Sequence, residues 1–484
     1  MSIALSRADS YARAIMTSLL IRNAAAILTG LAGSQARHAG PDLRVRDRRI
    51  EAIGTLTPEP GEAQIDATGC VIYPAWVNTH HHLAESLLKG LPGGINASLT
   101  DWLHAVPIRY RGRFEEQTFR MAARIGLVEL ALSGCGTVAD HNFVYYPESE
   151  FDSGAILFEE AQALGLRFVM CRAGATRSRM QPADTRDRWR PETFDAYLKR
   201  VEATAARFHD AAPDSMRRVV MGPTTPLFDF EPGQLREVAR VARGWGLRLH
   251  THLSETVAYK EAARERFGMS PVAFMEQQEW LGPDVWLAHL VKLDADEIAA
   301  LGAGGTGIAH CPQSNARLGS GIAALPELEA AGVKISIGVD GAGSNEAADM
   351  ISEVHAAWLL QRARVGQHAQ PGYDGGKFEG GAHAASVEDV VRWGSAGGAQ
   401  VLGFPGLGEL APGRPADLAV YRLDAPRYLG LNDVAIGPVV SGGRPYLRML
   451  LVGGEVVVED DALPGMDMAK LASDARQAMR MLMA

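Results

Sequence analysis

Between residues 71 and 340 short apolar runs alternate with longer amphipathic stretches. The runs at 71–80, 136–141, 167–172, 218–223, 246–252, 284–289, 306–310 and 334–340 are apolar, bounded by Gly, Pro or Asp, and too short for helices. Such runs read as buried strands. The intervening stretches at 119–133, 191–208 and 234–244 carry apolar positions three and four apart and predict amphipathic helices. Eight strand–helix alternations predict an α/β chain built as a (β/α)8 TIM barrel, a fold of about 250 residues that grows by insertion. A doubly wound sheet competes, but no G-x-G-x-x-G or Walker loop follows any of the runs.

The flanks have a different rhythm. Residues 17–28, 49–54 and 63–66 read as short strands separated by turn residues, and a similar set recurs at 417–421 and 447–458. Two incomplete β segments at opposite ends predict one composite β-sandwich that brings the termini together. The expected division is 17–72 for the first part of the sandwich, 73–405 for the barrel, and 406–484 for the rest of the sandwich with a closing helix. In that helix Met468, Leu471, Ala475, Met479 and Leu482 are expected on one face. The Gly-rich stretch 367–385 has the composition of a mobile loop beyond the eighth strand, a lid or an oligomer contact.

Composition narrows the partners. A content of 47% apolar and 22% charged residues is ordinary for a globular protein, and a net charge of −9 argues against nucleic acid and anionic membrane surfaces. No apolar run approaches the roughly 20 residues of a membrane span. Cys70, Cys135, Cys171 and Cys311 are scattered without C-x-x-C spacing, as in small core residues of a reducing compartment. Residues 1–16 contain Arg7 and Arg13 but no apolar core of a secretory signal, so they read as a frayed extension and the cytoplasm is the expected address. A homo-oligomer acting on a small molecule is the expected working form.

The polar residues at the strand ends change the picture most. In Val77-Asn78-Thr79-His80-His81-His82, period-two alternation sends His80 and His82 one way and His81 the other. Later runs end in or beside His141, Arg172, His250 and His252, His289, His310 and Asp340, although the chain has only 14 histidines. In a barrel these ends converge on the active-site face. Imidazoles with one carboxylate suit one borderline divalent ion, zinc first and iron second; the candidate ligands are His80, His82, His252 and Asp340. Glu255, three residues after His252, is placed to take a proton from water and pass it on. His250 shares the parity of His252 and reads as its supporting neighbour, with ligation as the alternative. His289 reads as a proton-transfer or polarising group or else a satisfied core histidine. His310 reads as structural or substrate-contacting, and His141 is unassigned.

The run Pro74-Ala75-Trp76-Val77-Asn78-Thr79-His80-His81-His82-Leu83 resembles the PGLVNTHTHL motif of the amidohydrolase superfamily. His252–Glu255, Ala288-His289, His310–Asn315, Gly338–Asn345 and Gly408–Asp417 are similar to its later motifs, in order. The resemblance spans residues 19–458 and implies a (β/α)8 barrel, a composite β domain and hydrolysis by metal-activated water. Binuclear members place a lysine or glutamate on strand four; Arg217–Pro223 has neither at its end, so one metal is implied. The mononuclear branch is similar to cytosine, guanine, adenosine-analogue and triazine deaminases. For that branch the metal lowers the water pKa toward about 7, Glu255 relays a proton to a ring nitrogen, and His289 and Asp340 stabilise and deprotonate the adduct as ammonia leaves.

Within the resemblance, His80-His81-His82-Leu83 with Glu85 and Trp102 looks most like deaminases of oxidised purines and pterins. 8-Oxoguanine deaminases are similar but carry glutamine where this chain has Glu85. A carboxylate accepts two N–H bonds from a 2-amino-4-oxopyrimidine edge, whereas an amide offers one donor and one acceptor group. The first substrate expectation is therefore a pterin such as isoxanthopterin, with 8-oxoguanine or guanine second and triazine-type chlorohydrolysis as a further alternative. Thr224 stands where deaminases of adenosine-type thioethers carry histidine. Trp102 is expected to stack on the substrate or to be a buried core residue, and Arg172, ahead of Arg177, to bind a substrate carbonyl.

Overall fold

The computed structural model describes residues 18–38, 40–177, 187–367 and 385–484; the expected extension at 1–16 and nearly all of the Gly-rich stretch at 367–385 lie outside them. Eight parallel strands follow one another round the barrel in chain order: Trp76–Asn78, Cys135–Asn142, Arg167–Arg172, Arg217–Met221, Arg248–Leu253, Val285–His289, Gly307–His310 and Lys334–Ile337. The sheet closes at the mouth, where His81–His82 pairs in parallel with Asp340–Gly341. Alternation sorts the side chains. Val77, Ala139, Val169, Cys171, Val220, Trp286 and Ala309 point inward and are plugged by Phe404 and Leu407, while Val138, Met170, Val219, Leu287 and Ile308 join the core beneath the helices.

The helices at 119–133, 191–208 and 234–244 form as Glu116–Leu132, Phe194–Phe208 and Pro232–Gly244. Thr193 caps the second through its side chain, and a glutamate capping box opens the other two. The flanks form two sheets. Arg49–Gly54, Asp42–Arg46, Ser18–Arg22 and Ala63–Asp66 make one, and the other orders Glu455–Glu459, Tyr446–Val452, Leu418–Arg422, Cys70–Pro74, Ala26–Leu28 and Arg37–His38. Leu19, Ile21, Val45, Ile72, Val420 and Leu451 pack between them.

Three expectations need correction. Residues 71–80 are not one strand: Cys70–Pro74 belongs to the sandwich, between Leu418–Arg422 and Ala26–Leu28, and the barrel begins only at Trp76. Pro74 lacks an N–H, so the ladder is interrupted where the chain changes sheet. Residues 17–28 likewise divide between the sheets at Asn23, whose φ of 63° turns the chain. In the closing helix Met468–Met483 the buried line is Leu471, Ala478 and Leu482 with Ala475 partly covered, whereas Met468 and Met479 are 48% and 45% exposed. The spacing 471, 475, 478, 482 keeps one face of a 3.6-residue helix, and 468 and 479 fall at its margins.

Candidate active site

Each imidazole at the barrel mouth is oriented by what its Nδ1 touches. The Trp286 carbonyl can only accept, so His250, 2.9 Å away, carries its proton on Nδ1 and exposes a lone pair at Nε2. His80 Nδ1 lies 2.8 Å from that Nε2 and must be the donor, which leaves His80 Nε2 bare; it is buried without a partner. His82 donates through Nδ1 to the His141 carbonyl at 2.9 Å, and His252 through Nδ1 to the Thr224 carbonyl at 2.7 Å. All three Nε2 atoms are therefore lone pairs, and they face one another. His82 Nε2 and His252 Nε2 are 3.1 Å apart, and Asp340 Oδ1 lies 3.5 Å from His80 Nε2 and 3.4 Å from His82 Nε2.

Four electron-rich atoms so placed repel one another unless a cation lies between them. Three imidazole nitrogens and a carboxylate are a donor set for a borderline divalent ion, so the residues fit a single metal. Burial holds His80 and His252 well below the ordinary imidazole range, which keeps them neutral and ready to ligate. His81 points elsewhere, its Nδ1 against the Asp340 carbonyl at 2.6 Å. Asp340 is fixed by Ser314 Oγ, which donates to its Oδ2 at 2.6 Å, and by the Gly341 N–H at 2.7 Å. Gly338 has no room for a side chain, since a Cβ there would lie 2.7 Å from the His80 Cβ. The backbone is strained at this end. Ser254, His289 and Asp340 have φ of 51°, 76° and 63°, each costing about 1 to 2 kcal/mol for a residue with a Cβ.

These groups line a cavity of about 150 Å³. His82, His252, Glu255, His289 and Asp340 share its lining with apolar and aromatic side chains, Leu99, Trp102, Ile108 and Phe143 among them, and with Arg111. Glu255 Oε1 accepts from Ser320 Oγ at 2.9 Å while its Oε2 lies 3.7 Å from His289 Nε2. Burial raises the Glu255 carboxyl above its usual range, against the pull of His289. His289 Nδ1 is held by Asn315 Oδ1 at 2.9 Å, which aims Nε2 at Glu255 and the cavity. A larger cleft of about 830 Å³ opens at the opposite end of the barrel, among Glu329, Lys334, Arg392 and Glu409, and holds none of the histidines.

Two substrate-side expectations land in the cavity wall and one does not. Trp102 is buried there with Nε1 donating to the Gly343 carbonyl at 2.8 Å. Glu85 is buried with Oε2 unpartnered, and burial, then the Asp340 charge, push its carboxyl well above the carboxylate range. A protonated Glu85 is one donor and one acceptor, the pattern of an amide, so the two-acceptor reading holds only after it loses its proton. Arg172 is a correction. Cys171 points into the barrel, so its neighbour points out, and the guanidinium meets Glu192 through two bonds of 2.8 Å while stacking 3.6 Å over the Tyr145 ring. Arg177 pairs with Glu231 at 2.8 Å on the surface. His310 is buried with neither ring nitrogen partnered, and His141 supplies its carbonyl to His82. Arg111, Phe143, Tyr259 and Ser320 join the site without any signal in local spacing, because each arrives from a loop or helix end.

The sequence profile of the Amidohydrolase family matches residues 71–457. The chain is 61% identical over 469 residues to an isoxanthopterin deaminase of an unknown prokaryotic organism, covering 96% of this chain and 97% of that one. It is 35% identical over 479 residues to an 8-oxoguanine deaminase of Pseudomonas aeruginosa, covering 97% and 100%. The crystal structure of an atrazine chlorohydrolase from Arthrobacter aurescens TC1 complexed with zinc superposes with a TM-score of 0.85 at 28% identity, covering 95% of this chain and 100% of that one.

Proposed function

The chain belongs to the amidohydrolase family and is a metal-dependent aminohydrolase, and we propose that it hydrolytically deaminates a fused, oxidised amino-heterocycle, a pterin of the isoxanthopterin kind. The observation that carries the chemistry is the convergence of the Nε2 atoms of His80, His82 and His252 with Asp340 Oδ1 in the floor of the cavity that also holds Glu255. The choice of a pterin is supported by the 61% identity to an isoxanthopterin deaminase and by the 8-oxoguanine deaminase at 35%.

A divalent ion, zinc in this reading, held by His80, His82, His252 and Asp340, supplies Lewis-acid activation of water. Glu255 takes the proton from the attacking water and delivers it to the ring nitrogen next to the amino-bearing carbon. Its raised pKa suits both steps, because a carboxyl nearer neutrality gives and takes a proton with less penalty. His289, with Nδ1 donating to Asn315, presents the Nε2 lone pair to the same carbon's substituents and orients the hydroxyl of the tetrahedral adduct by accepting from it. Asp340 accepts the second proton from the attacking oxygen, and that proton passes to the amino group as the C–N bond breaks, so that the carbonyl forms and ammonia departs. Trp102 offers a planar apolar wall, and Glu85 offers its unpartnered Oε2 to the amide-like edge of the heterocycle.

The test is ammonia release by the zinc-loaded protein from isoxanthopterin, pterin, 8-oxoguanine, guanine and cytosine. Fast turnover of isoxanthopterin supports the reading. Preference for 8-oxoguanine moves it to the purine, and silence across the panel with metal bound ends it. Glu255→Gln is expected to lose about 10²- to 10⁴-fold in rate while keeping its metal.

A further inference from the structure

Among the described residues that line the cavity, Arg111 is the only lysine or arginine. It follows the short helix Pro107–Tyr110, in the segment after the first barrel strand, whereas the metal-ligating groups stand on the strand ends. Its guanidinium lies 3.6 Å over the Trp189 ring, which fixes the plane of the fork, and Nε is buried with no hydrogen-bond partner. Among the described residues it makes no ion pair. Burial lowers it to about 10, with Asp187 and Asp229 opposing, so it stays a cation at neutral pH. Two other buried arginines have a carboxylate, Glu192 for Arg172 and Asp417 for Arg167, and buried Arg218 ends on backbone carbonyls. A largely buried cation without a carboxylate is costly, and Arg111 lines the substrate cavity.

We propose that Arg111 is a specificity-determining residue that binds the oxidised edge of the substrate, donating to the lactam oxygen on the ring distal to the amino group that is removed. The inference rests on the deaminase reading for its orientation. The amino-bearing carbon has to lie over Glu255 and His289, so the second ring of a bicyclic heterocycle extends toward the walls. Arg111 presents fixed N–H donors there, and a lactam oxygen, neutral or as its conjugate anion, is the acceptor they match. Apolar neighbours in the same wall, Leu99, Pro107 and Ile108, strip water from the pair and strengthen it. A heterocycle with hydrogen in place of that oxygen would leave the guanidinium desolvated and unpaired, which discriminates against it.

Binding is measured by calorimetry on the zinc-loaded Glu255→Gln protein, which holds ligand without turning it over, with and without Arg111→Met. The probes are two pairs that differ in the distal oxygen: isoxanthopterin against pterin, and 8-oxoguanine against guanine. The oxo member of at least one pair is expected to bind about 10- to 100-fold tighter, and Arg111→Met to abolish that preference while changing the other member less than about threefold. Arg111→Lys, which keeps the charge but loses the fork, is expected to recover part of it. Equal weakening of both members of each pair would make Arg111 a packing partner of Trp189 and overturn the proposal, as would an unchanged preference or no binding by any probe. Ammonia release by the protein with Glu255 intact separates the two readings. Oxo-selective binding through Arg111 without ammonia release keeps the arginine and rejects the deaminase, whereas ammonia release with unaltered selectivity in Arg111→Met does the reverse.

Discussion

The two ends of the barrel bury polar groups in opposite ways. At the N-terminal end Arg218 donates to the carbonyls of Leu402, Gly403 and Ala212 and stacks 3.7 Å over Phe404. Arg248 ends on the Val401 and Pro283 carbonyls, and Arg167 on the Asp214 and Ser215 carbonyls and the Asp417 carboxylate. Terminal nitrogens there meet acceptors. At the C-terminal end three imidazole lone pairs and a carboxylate face one another, Glu85 Oε2 lacks a partner, and Ser254, His289, Leu290 and Asp340 sit at positive φ. Unpartnered atoms occur at both ends, Arg167 and Arg218 Nε among them, yet only the C-terminal end leaves mutually repelling groups uncompensated. The incomplete end is where a metal and a substrate can supply what the protein does not.

Substitutions can test that contrast. At the mouth, His82→Ala is expected to lower metal content and cut activity by roughly a thousandfold, the loss of several kcal/mol of transition-state stabilisation. The melting temperature of the metal-free protein should hardly change, because a repelling lone pair is lost; elemental analysis with a thermal scan checks this. At the N-terminal end, Asp417→Ala leaves Arg167 buried without its carboxylate, and a stability loss of about 3 kcal/mol is expected in denaturant titration. Activity per folded molecule should be unchanged. A fall in activity without a fall in stability would erase the division between the ends.

A pH experiment gives the finest resolution. Asp140, on the second barrel strand, accepts the Leu83 N–H at 2.6 Å, and burial pushes its carboxyl up to about 7. Its unfolded value is about 3.9, so between those values the folded state binds more protons than the unfolded one. Stability from this group is present at low pH and is lost as pH rises through that window. Asp140→Asn cannot ionise. It should match the parent only below about pH 4, already be the more stable near pH 5, and melt a few degrees higher near pH 8, where an equal melting temperature would mean that Asp140 is already accommodated as an anion.

Much of the site was legible because its signals are local. His80, His82, His252, Glu255, His289 and Asp340 were found from strand-end position and parity, and they line or border one cavity. Arg172 stands at a strand end but with the wrong parity for the site: Cys171 faces the barrel, so its neighbour faces away. The division of residues 71–80 between two sheets was missed because an apolar run looks alike in either, and Pro74 marks the change only once the partner strands are known.

Repeat length, alternation and motif spacing are properties of neighbouring residues, and from them the barrel, the composite sandwich and the candidate ligands follow directly. The protonation pattern of the site is different. The tautomer of His80 depends on His250, 170 residues away, and through it on the Trp286 carbonyl. The state of Glu85 depends on its burial against the eighth strand's end, and the isolation of Arg111 on the placement of Trp189. Those features arise from contacts between distant segments and from the exclusion of water, neither of which has a period along the chain.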